Sequence, residues 1–175
     1  AVTGVALIIG ALFGTLVAAA KLSGLRPLAW LGNAYTTIFR GVPELLIIYL
    51  IYFGGSSAVT SIGKAFGYEN FLGLPSFAAG ALAVGIISGS YQAEVFRGAY
   101  LAIAPGELEA ASAIGMNAGL RFRRIIVPQV LRYAIPGLGN VWQLSLKDSA
   151  LVSVTGLVEL MRASQVAAGS TREYF

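Results

Sequence analysis

Hydrophobic positions in this chain come in long runs, not in the alternation of a strand or the single stripe of a soluble helix. Ala1–Ala20 carries no charge and stops at Lys21 and Arg26. Leu45–Gly63 is also uncharged; its apolar part starts near Leu28, and the Gly54–Gly55–Ser56–Ser57 cluster predicts a break. Asn70–Ala93 is a third uncharged run. In a fourth, Tyr133–Leu146 is apolar, Lys147 and Asp148 interrupt it, and Ser149–Val158 continues. About 20 apolar residues wound as a helix cross the hydrocarbon core of a bilayer. The runs therefore predict an all-α, polytopic membrane bundle with about four spans. Ala1–Ala20 opens without an initiator Met or a charged leader, so it reads as a span cut near its start and not as a signal peptide. Tyr174–Phe175 reads as the beginning of a further apolar segment. Gly10–Gly14 and Gly85–Gly89 place small residues four apart within two runs, a spacing that lets helix backbones approach closely in lipid. Chance is the competing explanation, because glycine is common in membrane helices.

Composition strengthens this picture. Hydrophobic residues are 57% and charged residues 11%; soluble domains carry about 45–50% and about 25%. Mean hydropathy is +0.76. The absence of cysteine and histidine removes disulfides, thiolate or histidine metal ligands, cysteine nucleophiles and histidine-based triads. No metal or cofactor is expected on this chain. The net charge of +4 is read as membrane orientation rather than nucleic-acid binding. Lys21, Arg26 and Arg40 lie between the first two spans, and Arg97, Arg121, Arg123, Arg124 and Arg132 between the last two. These eight of the twelve basic residues mark the cytoplasmic side. Lys64 falls in the opposite loop, and both chain ends are expected outside.

The cytoplasmic segment 98–129 is long and patterned as two helices. Pro105–Gly106 marks a turn, Glu107 and Glu109 suit a first helical turn, and Gly115 a stop. Ala110, Ala111 and Ile114 offer a small apolar face. A basic helix, Leu120–Val127, then runs to Pro128. Such a loop either lies along the lipid headgroups or docks in another protein's groove.

These residues resemble a known family. Glu109-Ala110-Ala111, then Gly115, Ile125 and Pro128, is similar to the EAA loop of ABC importer permeases; Val127 stands where the family usually has leucine. Phe39-Arg40-Gly41-Val42-Pro43, Glu94-Val95-Phe96-Arg97-Gly98, Pro136–Asn140 and Leu146–Leu151 resemble elements of the polar amino-acid branch, for histidine, lysine, arginine, ornithine and opines. The resemblance covers essentially the whole chain. It implies a single type I permease domain over residues 1–175, truncated at both ends, with a fifth span beyond. It further implies a second permease chain, ATPase subunits that hold the EAA loop, a periplasmic binding protein, and the bacterial inner membrane. Glu109, Ala110, Ala111 and Gly115 would carry the coupling. No phosphate-cradling G-x-x-x-x-G-K-[ST] run occurs, so ATP falls to a partner and the chain is not itself an enzyme.

Charges inside spans are costly and point to partners or function. Arg40 with Glu44, four apart, and Glu94 with Arg97, three apart, read first as boundary ion pairs. Asp148 reads evenly as a pathway residue or a packing ion. A cationic amino acid needs a carboxylate for its side chain, from Asp148 with Glu44, and a donor for its own carboxylate, from Lys147 or Gln143. Tyr91 and Trp142 are further pathway candidates, though packing explains most aromatics here. A rival reading is an ion-driven secondary transporter or channel. A third is a membrane enzyme with Ser145 or Ser149 paired to Lys147, a poor geometry on one helix.

Overall fold

The structure, a computed structural model, describes residues 2–67, 73–155 and 160–171. Ala1, Asn70–Leu72 of the third expected span, Gly156–Val158 of the fourth, Arg172 and Tyr174–Phe175 lie outside them. All regular structure among the described residues is helical. It comprises α1 (Val2–Leu22), α2 (Arg26–Gly41), α3 (Glu44–Tyr49), α4 (Gly55–Ala65), α5 (Ser76–Leu101), α6 (Pro105–Ala113), α7 (Ala118–Arg121), α8 (Val127–Leu151) and α9 (Leu160–Thr171). A five-residue π turn, Leu50–Gly54, joins α3 to α4, and another, Phe122–Ile126, joins α7 to α8.

The centre of the bundle is α5, with thirteen of its 26 residues buried. Its main neighbour is α1, whose buried Ala6, Gly10, Gly14 and Ala18 recur every four residues along one face. The two glycine pairs face each other across this contact. A Cβ on Gly14 would lie 2.8 Å from the Cβ of Gln92, and one on Gly85 2.7 Å from Ile9 Cγ2. The spacing is therefore a packing seam and not chance. Polar groups seal it: Gln92 Nε2 donates to Leu7 O at 3.3 Å, and Ser88 Oγ lies 3.5 Å from Ala6 O. On the other side of α5, Gly137 of α8 admits Val95, while Gly80 admits Val152 beyond the end of α8. Ala6, Ile47, Ile48, Ala83, Val84, Ile87 and Val152 form the apolar core.

Among the described residues, α1 and the continuous helix Glu44–Ala65 are long and apolar enough to cross a membrane. The expectation of four spans included two further helices. At 26 and 25 residues, α5 and α8 have the length, about 39 and 38 Å. Their apolarity is diluted by Ser88, Ser90 and Gln92 in one and by Asn140, Gln143, Lys147 and Asp148 in the other.

Two expectations about breaks are corrected. Gly54–Ser57 does not end the second span; the helix passes through it by way of the π turn. The break lies at Val42–Pro43 instead. Val42 is extended, with φ −98° and ψ 139°, because the proline ring excludes helical geometry from the residue before it. The helix restarts with Leu46 and Ile47 N–H donating to Pro43 O. This leaves α2 as a separate amphipathic helix. Nor do Lys147 and Asp148 interrupt α8, which continues to Leu151.

Candidate functional site

In the loop between α5 and α8, Pro105 occupies the first turn of α6, where a missing N–H costs nothing. Gly115 ends it with φ +78°. Gly115 N–H donates to Ser112 O at 3.0 Å and Met116 N–H to Ala111 O at 3.1 Å, the double closure of a Schellman turn. The exposed side of α6 carries Glu109, Ala110 and Ala113, and beyond its end Ile114, which is 73% exposed. Ala111, grouped with that face from the sequence, is buried at 3% and packs inward. Asn117 caps α7 by accepting from Leu120 N–H at 2.9 Å. The basic helix expected to stop at Pro128 instead runs through the π turn into α8, with Pro128 in the first turn of α8.

A charged cluster joins α1, α2 and α5. Glu94 accepts from Arg97 Nε at 3.0 Å and from Lys21 Nζ. Lys21 also donates to Thr36 Oγ1 at 2.9 Å, and its side chain is only 7% exposed. Gly32 makes room for the lysine stem; a Cβ there would lie 2.7 Å from Lys21 Cγ. These groups line a 460 Å³ cleft that includes Asn33, Thr37 and Arg40. The Glu94–Arg97 pair is thus formed, with Lys21 as a third member. Arg40 and Glu44 do not form the expected pair. The Val42–Pro43 break removes the helical register that four-residue spacing assumes, and Arg40 lies over the ring of Tyr91, 5.4 Å from its centroid.

The inner face of α8 holds Val141, Ser145, Asp148 and Ser149, all buried. Asp148 and Glu44 lie within electrostatic reach of each other and of Tyr91. Neither acid has a cationic partner within salt-bridge distance among the described residues. Ser145 Oγ, one turn before Asp148, is buried without a hydrogen-bond partner. Lys147, Gln143 and Trp142 are exposed on other faces of α8; Lys147 is near enough to act on Asp148 through its charge but forms no salt bridge with it. The same geometry separates Lys147 from Ser145 and Ser149, and no serine–lysine dyad is assembled. Two residues named from the sequence in other roles take part here in ways that reading did not show. Lys21 pairs with Glu94 across 73 positions, and Ser145, weighed from the sequence only as a dyad partner of Lys147, shares the buried face of Asp148 one turn away.

Comparison with known proteins gives a consistent result. Residues 7–169 match the family model described as "Binding-protein-dependent transport system inner membrane component". An octopine transport system permease protein of Rhizobium radiobacter is 56% identical over 95% of this chain and 70% of its own length. The histidine/lysine/arginine/ornithine transport system permease protein of Salmonella typhimurium is 41% identical over 96% of this chain and 73% of its own. A crystal structure of an amino acid ABC transporter with histidines superposes with a TM-score of 0.78, at 35% identity, over 99% of this chain and 76% of that one. These are permeases of transport systems and not ion-driven transporters or membrane enzymes, and the matched segment spans the glycine seam, the α6 loop and the α8 acid together. The chain belongs to the inner-membrane components of binding-protein-dependent transport systems, as a permease of the ABC importer type.

Proposed function

We propose that this chain imports basic amino acids or opines across the bacterial inner membrane, driven by separate ATPase subunits. One observation carries the substrate class. Buried Asp148 and half-buried Glu44 lie within electrostatic reach of each other, and among the described residues neither is in a salt bridge; the exposed Lys147 acts on Asp148 only at a distance. Two like charges in a low-dielectric interior call for a counter-charge, and the side chain of arginine, lysine or an arginine-derived opine supplies it. The orphan Ser145 hydroxyl supports a solute-facing strip on α8. Lys147 and Gln143, exposed in the single chain, suit a face that meets water or a second permease chain and donates to the substrate carboxylate. Tyr91, between Arg40 and the acids, lines the same space.

The α6 loop is the cytoplasmic coupling element. Its exposed Glu109, Ala110 and Ile114 enter a cleft of the ATPase subunit, and a periplasmic binding protein delivers substrate on the opposite side. The chain itself binds no cofactor, and ATP belongs to the partner. The test is uptake of labelled arginine and glutamine by reconstituted Asp148→Asn complexes. Arginine uptake falls at least about tenfold, the effect of one lost charge-assisted contact of roughly 1.4 kcal/mol or more, with less loss for any glutamine transported. Equal effects on both solutes, or none on either, exclude charge recognition by Asp148.

A further inference from the structure

The connections of α6 to its two flanking helices are unequal. Toward α5 there is a three-residue non-helical link, Ala102–Ala104; a 440 Å³ cleft opens between the end of α5, α6 and the α7–π-turn segment, lined by Tyr100, Leu108, Glu109, Ser112, Arg121 and Ile126. No side-chain hydrogen bond crosses from α5 to α6 among the described residues. Toward α8 the two ends of α6 are both tied. Gln129, in the first turn of α8, donates from Nε2 to Glu107 Oε2. Arg121, at the end of α7, donates from Nη1 to Ser112 Oγ. Ser112 in turn donates to Leu108 O at 2.8 Å, so the tie reaches the α6 backbone. The other amide atom of Gln129, Oε1, is buried without a partner; the side chain holds Glu107 at the expense of that group's own hydrogen bonding.

We propose that Gln129 and Arg121 are positioning residues that bolt α6 to α8. The stroke of the ATPase then enters the bundle through α8, the helix that carries Ser145 and Asp148, while the Ala102–Ala104 link acts as the hinge. The inference rests on the reading of α6 as the coupling helix. Its physical basis is that a displacement follows the stiffer connection: α7, the π turn and α8 form one unbroken helical path from Ala118 to Leu151, and α6 is fastened to it at Arg121 and again eight residues on at Gln129. The link to α5 has no such fastening.

The chain contains no cysteine, so an introduced pair provides the only thiols that it contributes to the full transporter complex. Glu107→Cys with Gln129→Cys, closed by a short bis-thiosulfonate linker, makes the tie permanent. Binding-protein-stimulated ATP hydrolysis and uptake of the linked complex stay within about twofold of the wild-type complex. Tyr100→Cys with Leu108→Cys, linked in the same way, freezes the hinge, and uptake falls about tenfold or more. Without a linker, Gln129→Leu transports about three- to tenfold fewer substrate molecules per ATP, the range expected of a coupling residue. Exchanging the pair, Glu107→Gln with Gln129→Glu, restores the ratio. A merely structural role would change the amount of complex and leave this ratio alone. A stalled cycle on linking 107 to 129 overturns the inference, as does an unchanged ratio in Gln129→Leu. Absence of binding-protein-stimulated hydrolysis in the wild-type complex instead defeats the coupling reading beneath it.

Discussion

The α1–α5 seam and the α6 loop hold themselves together in opposite ways. The seam is dry and close: glycines remove side chains, backbones approach, and buried Ser88 and Gln92 face carbonyls of the neighbouring helix. The loop is wet, and its ties are exposed side-chain hydrogen bonds between polar tips. Packing that excludes everything larger than hydrogen has one solution and resists sliding. Hydrogen bonds between exposed tips exchange with water at a net cost of about 1 kcal/mol each. The contrast separates a close-packed seam, which leaves no room for rearrangement, from a surface loop whose ties water can replace.

The sharpest way to break the contrast is to put bulk into each region. Gly10→Leu places its side chain against Ser88 and Gln92, and the overpacking costs about 3 kcal/mol; the yield of folded permease in membranes and its melting temperature in detergent both collapse. Glu94→Gln comes next. It leaves the buried Lys21 and its neighbour Arg97 without their shared carboxylate, a loss of about 2 kcal/mol, read as a fall in melting temperature of several degrees. Gly115→Trp tests the loop. Nothing lies within 4 Å of a Cβ there, though φ is +78°. The fold loses only about 1 kcal/mol, while uptake is lost with the protein still in the membrane; unchanged uptake sinks the coupling role. The smallest effect is that of Gly139→Ala, a helical glycine on α8 with open space around it. Its melting temperature stays level or rises slightly, because alanine is the better helix former. A loss there comparable to Gly10→Leu would mean that a face open in this chain is closed in the assembly.

What the sequence revealed, and what it hid, follows from the range of each interaction. The first span and the glycine seam were legible because an apolar run and a four-residue spacing are local signals that lipid enforces. The loop was legible in the turn chemistry of Pro105, Gly106 and Gly115. The helix break was misplaced because glycine and serine next to one another read as a loop in water, whereas in a span their backbone groups stay bonded; the proline at 43 was the true stop. Lys21 with Glu94 was hidden because nothing local links positions 73 apart. Arg40 with Glu44 was a false pair for the complementary reason: a spacing has meaning only within one helix. The separation of Lys147 from Asp148 was in principle readable, since neighbours on a helix point some 100° apart, but which one faces inward depends on how α8 packs.

The π turn at Leu50–Gly54 has a consequence for how this span tolerates change. A π turn accommodates one residue more than an α-helix does over the same rise. Removing any one of its five residues would let the span close into an ordinary helix with its apolarity almost intact. Everything beyond would then keep its facing, because the wide turn already absorbs the extra residue that a regular α-helix would answer with a rotation of about 100°. Ser56, which accepts from Leu74 N–H at 3.0 Å, would still face the segment leading into α5. The chain therefore contains a spot where losing a residue is easy for the helix and silent for its neighbours, and single-residue length differences among related chains should collect there.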